Sequence, residues 1–223
     1  VYKRGELMVS NGVVKDFDVP EVEPYLEARA HDTFHVGKLT AEDFADHRPR
    51  GVIGMVNGEI TTTDAGYADR IAVERDVLKI AVVERHKNTR HIGIGYIQGY
   101  GLTSGAVATS ISHDSHNIIV VGTNEEDMAA AVNRLVELKG GIVVYDKGEV
   151  TAEVPLAIAG IMSDEPLVEV NRKLEDAKEK AFSLGVNREI DPFMTLSFMA
   201  LPVIPTLRIT TRGVIDVVSQ QYI

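Results

Sequence analysis

The sequence contains no cysteine, and it lacks an excess of positive charge: its net charge is −10 over 223 residues. Without cysteine the chain forms no disulfide and no thiolate metal site, and such a composition fits a reducing compartment. An acidic chain lacks the basic face that neutralises phosphates, which argues against nucleic-acid binding as the main activity. The longest apolar runs are too short to span a bilayer and no secretory signal opens the chain, so we expect a cytoplasmic protein without a membrane segment.

The organisation of the chain predicts three parts. Residues 1–14 are expected to form a small β element closed by the turn dipeptide Asn11-Gly12. Residues 15–50 hold three prolines and weak periodicity, which predicts an irregular linker, and residues 51–223 form the main domain. Because Val1 opens what reads as a strand already under way, we expect the chain to be the tail of a longer polypeptide.

Hydrophobic patterning in the main domain alternates between strand and helix signals. The segments predicted as strands are 51–56, 77–85, 92–97, 118–121, 142–145, 149–154 and 209–218. The predicted helices are one capped by Asn124 and ending at Leu138, one capped by Ser163 and stopped by Gly185, and a short one opened by Asp191-Pro192. This succession predicts an α+β or α/β fold, with a layered mixed β-sheet and a few helices.

The glycines of Gly93-Ile94-Gly95 recur at Gly99 and do not match the dinucleotide-binding fingerprint, because no helix follows them. Glycine inside a strand pattern instead favours a bulge or the close approach of another backbone. We therefore expect these glycines to allow either a bulge or a close backbone approach along the 92–97 strand.

The densest polar cluster is Ser112-His113-Asp114-Ser115-His116-Asn117, directly before the apolar run 118–121. Burying polar groups at the start of a core strand is unfavourable unless each forms a hydrogen bond. The cluster is therefore either a functional site or a structural network of hydrogen bonds.

Three interpretations of this cluster remain open. The His-x-x-His spacing of His113 and His116 brings both imidazoles to one side only in a helical turn or an irregular loop, where they would ligate a metal. Alternatively, the histidines transfer protons or orient a substrate, with Asp114 fixing a histidine tautomer. In the third interpretation these groups satisfy the buried backbone around the strand start. His86, in the run 84–87, either points into the same cleft or belongs to a solvated strand end, which the sequence by itself favours.

Several segments, in one order, are similar to the C-terminal part of bacterial and archaeal-type adenine deaminases of the amidohydrolase superfamily. The resemblance is dense over residues 75–218, and residues 1–14 resemble the closing strands of the small β domain that follows the barrel in such enzymes. The matching stretches are 76–86 (DVLKIAVVERH), 99–102, 112–127 with SHDSHN at its start, 140–144, 156–164, 191–198 and 201–205.

The resemblance implies a parent enzyme that hydrolyses adenine to hypoxanthine and ammonia. A divalent metal (manganese, iron or zinc) is implied in a (β/α)8 barrel outside this segment, and no metal ligand carries over to this chain. The implied partners are that N-terminal barrel, adenine and a second copy of the chain in a homodimer; the isolated segment is expected to be inactive. The candidate residues are His113, Asp114 and His116 for catalysis and Ser115, Asn117 and His86 for substrate binding.

A structural alternative stands beside this interpretation: the domain acts only in dimerisation and stability, and the polar cluster is a buried network. In that case Asp114→Ala lowers stability, whereas a role in the site predicts lost activity with a near-normal melting temperature. A free-standing small-ligand binding protein is a third possibility, which adenine binding by the isolated chain would support.

Overall fold

A computed structural model describes residues 1–18 and 20–223; residue 19, inside the predicted linker, lies outside the described residues. The first 14 residues form two small antiparallel hairpins, β1 (Tyr2–Lys3) with β2 (Glu6–Leu7) and β3 (Val9–Ser10) with β4 (Val13–Val14). Asn11 and Gly12 close the second hairpin with φ angles of 49° and 79°. Two successive positive φ angles are what a tight two-residue hairpin turn requires, and Asn-Gly adopts them readily.

The segment expected to be an irregular linker contains two helices, α1 (Pro24–His31) and α2 (Ala41–Phe44). Helix α1 has no buried residue and thus no apolar stripe that periodicity would detect. Helix α2 starts with a capping box, in which the backbone N–H of Thr40 donates to the Asp43 carboxylate at 2.8 Å. The buried side chains of Leu39 and Phe44 join the main core, so the second half of this segment belongs to the folded domain.

An eight-stranded mixed sheet forms the centre of the molecule, as the expected fold class requires. Its strands in chain order are β5 (Arg50–Met55), β6 (Thr62–Ala68), β7 (Val77–Val83), β8 (Ile92–Gln98), β9 (Ala106–Thr109), β10 (Ile118–Gly122), β11 (Gly141–Asp146) and β12 (Glu149–Pro155). Their spatial order is β12-β11-β9-β10-β7-β8-β5-β6, and only the β5–β8 pair is parallel among the pairings of the described residues. Strands β6 and β9 were not predicted, because alanine and glycine take the place of the large apolar residues whose recurrence marks a strand.

Three further helices cover the sheet: α3 (Glu125–Leu138), α4 (Leu167–Ser183) and α5 (Pro192–Met199). Side chains of β10 alternate between the two faces, with Ile119 and Val121 packed towards α4 and α5, and Ile118 and Val120 packed towards α3. The sheet is therefore the middle layer of three, with a core on each side. None of the helices in the described part of the chain is long and apolar enough to span a bilayer.

The predicted helix starts are confirmed at two places and wrong at one. The Asn124 side chain accepts from the backbone N–H of Asp127 at 2.7 Å, and Asp191 caps α5 in the same way. Helix α4, in contrast, begins after Pro166 rather than at Ser163. The Ser163 hydroxyl accepts from the N–H of Glu165 at 3.1 Å in a separate turn, and proline at the boundary starts the helix because it has no N–H to satisfy.

A second sheet of three strands, β13 (Leu207–Thr210), β14 (Gly213–Asp216) and β15 (Gln221–Tyr222), packs against the main sheet. The single strand predicted over 209–218 is thus a hairpin. It lies directly on β8, where a Cβ added to Gly93 would stand 1.9 Å from the Thr210 carbonyl oxygen. The predicted close backbone approach at these glycines is confirmed.

Candidate functional site

The polar cluster 112–117 lies in the loop between β9 and β10, at one edge of the main sheet. Strands β7 and β10 are antiparallel neighbours, and Ile118, the first residue of β10, pairs with Val83, the last residue of β7. The chain leaving β7 therefore meets the chain entering β10. His86 Nε2 lies 2.8 Å from the Ser115 carbonyl oxygen, so the structure brings these two sequence-predicted residues together.

Two backbone hydrogen bonds hold the shape of the loop. The N–H of His116 donates to the Ser112 carbonyl at 2.6 Å, and the N–H of His113 donates to the carbonyl of Ser197 in α5 at 3.2 Å. His116 has a φ of 47°, in the left-handed region that non-glycine residues adopt only at a cost. The loop therefore has a defined turn conformation and is hydrogen-bonded to α5.

His116 is the candidate whose chemistry the surroundings change most. Its imidazole is half-buried, and within the described residues its buried Nδ1 has no hydrogen-bond partner. Burial, then the proximity of His113 and of the Arg85 guanidinium, lower the pKa of His116 below its usual range, which keeps the ring neutral at pH 7. A neutral imidazole can accept a proton and release it again.

His113 packs its ring on its neighbours. The ring centroid lies 5.1 Å from that of Phe198 in α5 and 6.2 Å from that of His116, with the two imidazoles edge to face. Among residues 1–18 and 20–223, no group of three or more histidine, aspartate or glutamate side chains is arranged to hold a metal ion. The metal-ligation interpretation of the His-x-x-His spacing therefore finds no third ligand here, and no chemical step below depends on a metal bound by this chain.

Asp114, Ser115 and Asn117 line one side of a cleft of about 330 Å³. Its other walls are the residues after α5 (200–203), Val82 and the start of the second sheet's hairpin (209–211). Asp114 and Ser115 are exposed. Within the described residues the Asp114 carboxylate makes no hydrogen bond to either imidazole, so the predicted tautomer-fixing contact is not formed.

Asn117 is buried, and part of its hydrogen-bonding capacity is used within the fold. Its Oδ1 accepts from the backbone N–H of Arg85 at 3.3 Å, and its own N–H donates to the Ser115 hydroxyl at 3.4 Å. Its Nδ2 makes no hydrogen bond in the described part of the chain, which leaves two donors at the wall of the cleft.

Arg85 belongs to the run 84–87, for which a solvated strand end was the favoured interpretation, and at Arg85 this interpretation is wrong. Its side chain is 2% exposed. The guanidinium donates to the carbonyl oxygens of His116, Thr33 (2.8 Å) and Ala159 (3.0 Å). No local pattern marks this burial, because all seven residues of β7 are buried, on both faces of the strand, and Arg85 lies beyond the end of β7.

Unpaired buried polar atoms are concentrated around this loop. Within the described residues five buried side-chain polar atoms have no partner, and three of them are Ser112 Oγ, His116 Nδ1 and Ser197 Oγ. Such groups are rare in folded proteins and each needs an explanation. Their placement at the junction of the loop and α5 is typical of a site, whereas Asn117 and Arg85 form the hydrogen-bonded support beneath it.

The family model for the adenine deaminase C-terminal domain matches residues 56–221. The chain belongs to this family. Similar relatives include the adenine deaminases of Brucella anthropi, 43% identical over 95% of this chain and 39% of the relative, and of Bacillus subtilis, 53% identical over 67% of this chain and 26% of the relative. An adenine deaminase 1 of Rhizobium johnstonii is 45% identical over 86% of this chain and 34% of its own length. The chain thus spans between a quarter and two fifths of these relatives.

Proposed function

We propose that this chain is the C-terminal domain of an enzyme that hydrolyses adenine to hypoxanthine and ammonia, and that loop 112–117 completes or covers its active site. The observation that carries the proposal is His116, a neutral, half-buried imidazole with an unpaired nitrogen, which lies in the chain between two residues that line the cleft, Ser115 and Asn117, in a chain similar to adenine deaminases. The rest of the site belongs to a barrel formed by another part of the same polypeptide.

In this reaction the oxygen of water bonds to the ring carbon that bears the amino group, the bond from that carbon to the amino nitrogen breaks, and the nitrogen leaves as ammonia after gaining a proton. A divalent metal (manganese, iron or zinc), which residues outside this chain would hold, would activate that water when bound. His116 carries a proton between the attacking water and the leaving amino group, because its lowered pKa leaves the imidazole neutral and ready to accept one.

The other loop residues recognise and orient the purine. The free Nδ2 donors of Asn117 suit a ring nitrogen, which is an acceptor. The hydroxyl of Ser115 and the carboxylate of Asp114 face the same cleft, and the cleft volume of about 330 Å³ exceeds that of one purine base. His113 shields one side of His116, and His86 holds the loop through the Ser115 carbonyl.

We further propose that residues 1–14 close the small β domain next to the barrel, and that the C-terminal domain consists of residues 51–223 together with the second half of segment 15–50, which packs into its core. The exposed apolar side chains of the first hairpins, such as Tyr2 (72%) and Val13 (70%), support packing against a further domain. The proposal includes a cytoplasmic homo-oligomer. A purely structural, dimerising role is the alternative, which the exposed Leu167 (81%) and Val168 (75%) at the start of α4 favour.

The test is steady-state adenine deamination by the full-length enzyme carrying His116→Gln or His113→Gln at matched metal content. His47→Gln is the matched control, because His47 is exposed and far along the chain from the loop. We expect His116→Gln to lower kcat/KM at least 100-fold, roughly 2.7 kcal/mol of transition-state stabilisation. Wild-type rates for both loop variants would assign the chemistry wholly to the barrel and leave this domain a structural role.

A further inference from the structure

We infer that Arg85 is a positioning residue for the site: its buried guanidinium fixes the backbone at His116 and so sets where the imidazole stands. This inference rests on the proposed function for its catalytic meaning. The contact itself is independent of any reaction, since it joins the end of β7 to the loop before β10.

Arg85 holds two consecutive residues of the loop. Its Nε donates to the His116 carbonyl oxygen, and its backbone N–H donates to the Asn117 side chain. His116 is the loop residue with a left-handed φ, an unfavourable conformation that persists only where surrounding contacts impose it. The Arg85 contact falls on the carbonyl of that same residue, where it acts most directly on the imidazole's position.

The far end of the guanidinium sits in a socket made by two distant segments. Nη1 donates to the Thr33 carbonyl, Nη2 donates to the Ala159 carbonyl, and the guanidinium carbon lies 4.3 Å from the centre of the Phe34 ring. Gly160 leaves room for this arrangement, because a Cβ there would stand 2.6 Å from Phe34 and 3.0 Å from Nη2 of Arg85. Lysine, with one compact ammonium group, cannot reproduce a planar fork that reaches three separated carbonyls.

The guanidinium of Arg85 has no ion-pair partner. Within the described residues no carboxylate lies at ion-pair distance from it, and burial lowers the pKa of Arg85 to about 10 against the smaller, opposite effect of the Glu84 carboxylate. A buried, unpaired cation is a poor solution for stability alone. The groups that act electrostatically on His116 are the Arg85 guanidinium and His86 from the end of β7, and His113 and Asp114 from the loop. Helix α5, which packs against the loop, contains no charged residue. The balance of these groups disfavours the imidazolium form.

Arg208 in β13 provides a matched control. Its side chain is fully buried, and its guanidinium donates to the carbonyl oxygens of Ile60, Pro205 and Leu207, while its Nε has no partner among the described residues. Burial lowers the pKa of Arg208 to about 10, as at Arg85. None of its partners belongs to loop 112–117, so Arg208→Lys reports what replacing a buried arginine does to the fold alone.

The experiment follows the titration of His116 by NMR in the full-length protein with 13C-labelled histidine, assigned with His116→Gln, together with kcat/KM and melting temperature. We expect Arg85→Lys to shift the His116 resonance and to lower kcat/KM at least ten-fold with little change in KM. We expect Arg85→Met to raise the pKa of His116 towards 6.5. Arg208→Lys should lower only the melting temperature.

Phe34→Leu loosens the socket without changing any charge, and it keeps the test decisive if an Arg85 variant does not fold. We expect this variant to shift the His116 resonance and to lower kcat/KM about three-fold. An unchanged His116 titration in both Arg85→Lys and Phe34→Leu, with loss of stability alone, would overturn the inference. Full activity of His116→Gln would instead refute the proposed function, while the His116 resonance in the Arg85 variants would still decide the positioning role.

Discussion

Adding one methyl group at Gly93 should disrupt the packing of the second sheet on the first. A Cβ at this position would lie 1.9 Å from the Thr210 carbonyl oxygen and 2.5 Å from the Gly213 nitrogen. Non-bonded carbon atoms attract each other only at about 3.5 Å or more, so the overlap exceeds 1 Å. Both neighbours are backbone atoms of one hairpin and cannot turn away as a side chain would, so the hairpin of β13 and β14 must move.

Overpacking a core costs about 1–3 kcal/mol and more where backbone must shift, so we expect Gly93→Ala to lower the free energy of unfolding by about 3 kcal/mol. Urea unfolding measures this directly: with a slope of about 2 kcal/mol/M, the midpoint should fall by roughly 1.5 M. Because Thr210 lines the cleft, KM for adenine in the full-length enzyme should rise as well.

Gly37→Ala is the control for this experiment. Its φ is outside the left-handed region, and an added Cβ would meet nothing closer than 3.9 Å. We expect the free energy of unfolding to stay the same or to rise by up to about 1 kcal/mol, because alanine lowers the conformational entropy of the unfolded chain. A midpoint for Gly93→Ala within experimental error of the wild type would refute the close packing of β13 on β8.

Three further predictions concern the loop and its support. The pKa of His116 is lowered in the folded state from its ordinary value of 6.5. The contribution of this group to stability is therefore complete above pH 6.5 and is lost as the pH falls through the folded-state pKa. The melting temperatures at pH 5 and pH 8 should consequently differ less for His116→Gln than for the wild type. Ser110→Ala should lower the free energy of unfolding by about 2–3 kcal/mol, measured by thermal unfolding. The reason is that the Ser110 hydroxyl donates to the Gly160 carbonyl at 2.5 Å and accepts from the Gly141 N–H at 2.7 Å, and both of these groups are buried. A loss smaller than about 1 kcal/mol would contradict this prediction. Asp191→Ala should cost about 1 kcal/mol in the same assay, since the carboxylate caps two N–H groups at the start of α5, and Asp191→Asn should recover most of it.

Local features of this protein were predictable because their physical causes lie within a few residues. Asn124 and Asp191 cap helices by accepting from N–H groups two or three positions ahead, so their sequence context is sufficient. The Asn11-Gly12 turn depends only on φ angles that this dipeptide adopts easily. Helix α1 was missed for the complementary reason: it has no buried face, and hydrophobic periodicity cannot report a helix that buries nothing.

The sequence by itself determined that residues 112–117 form a polar loop at the start of a core strand, and it supplied the resemblance by which the family was found. Only the tertiary structure decided what that loop touches. His86 reaches Ser115 because β7 and β10 are paired in register, a contact between residues 29 apart. Arg85 is buried because Thr33 and Ala159, 52 and 74 residues away, supply carbonyls at one point in space, and no local pattern encodes such a meeting of distant backbone atoms.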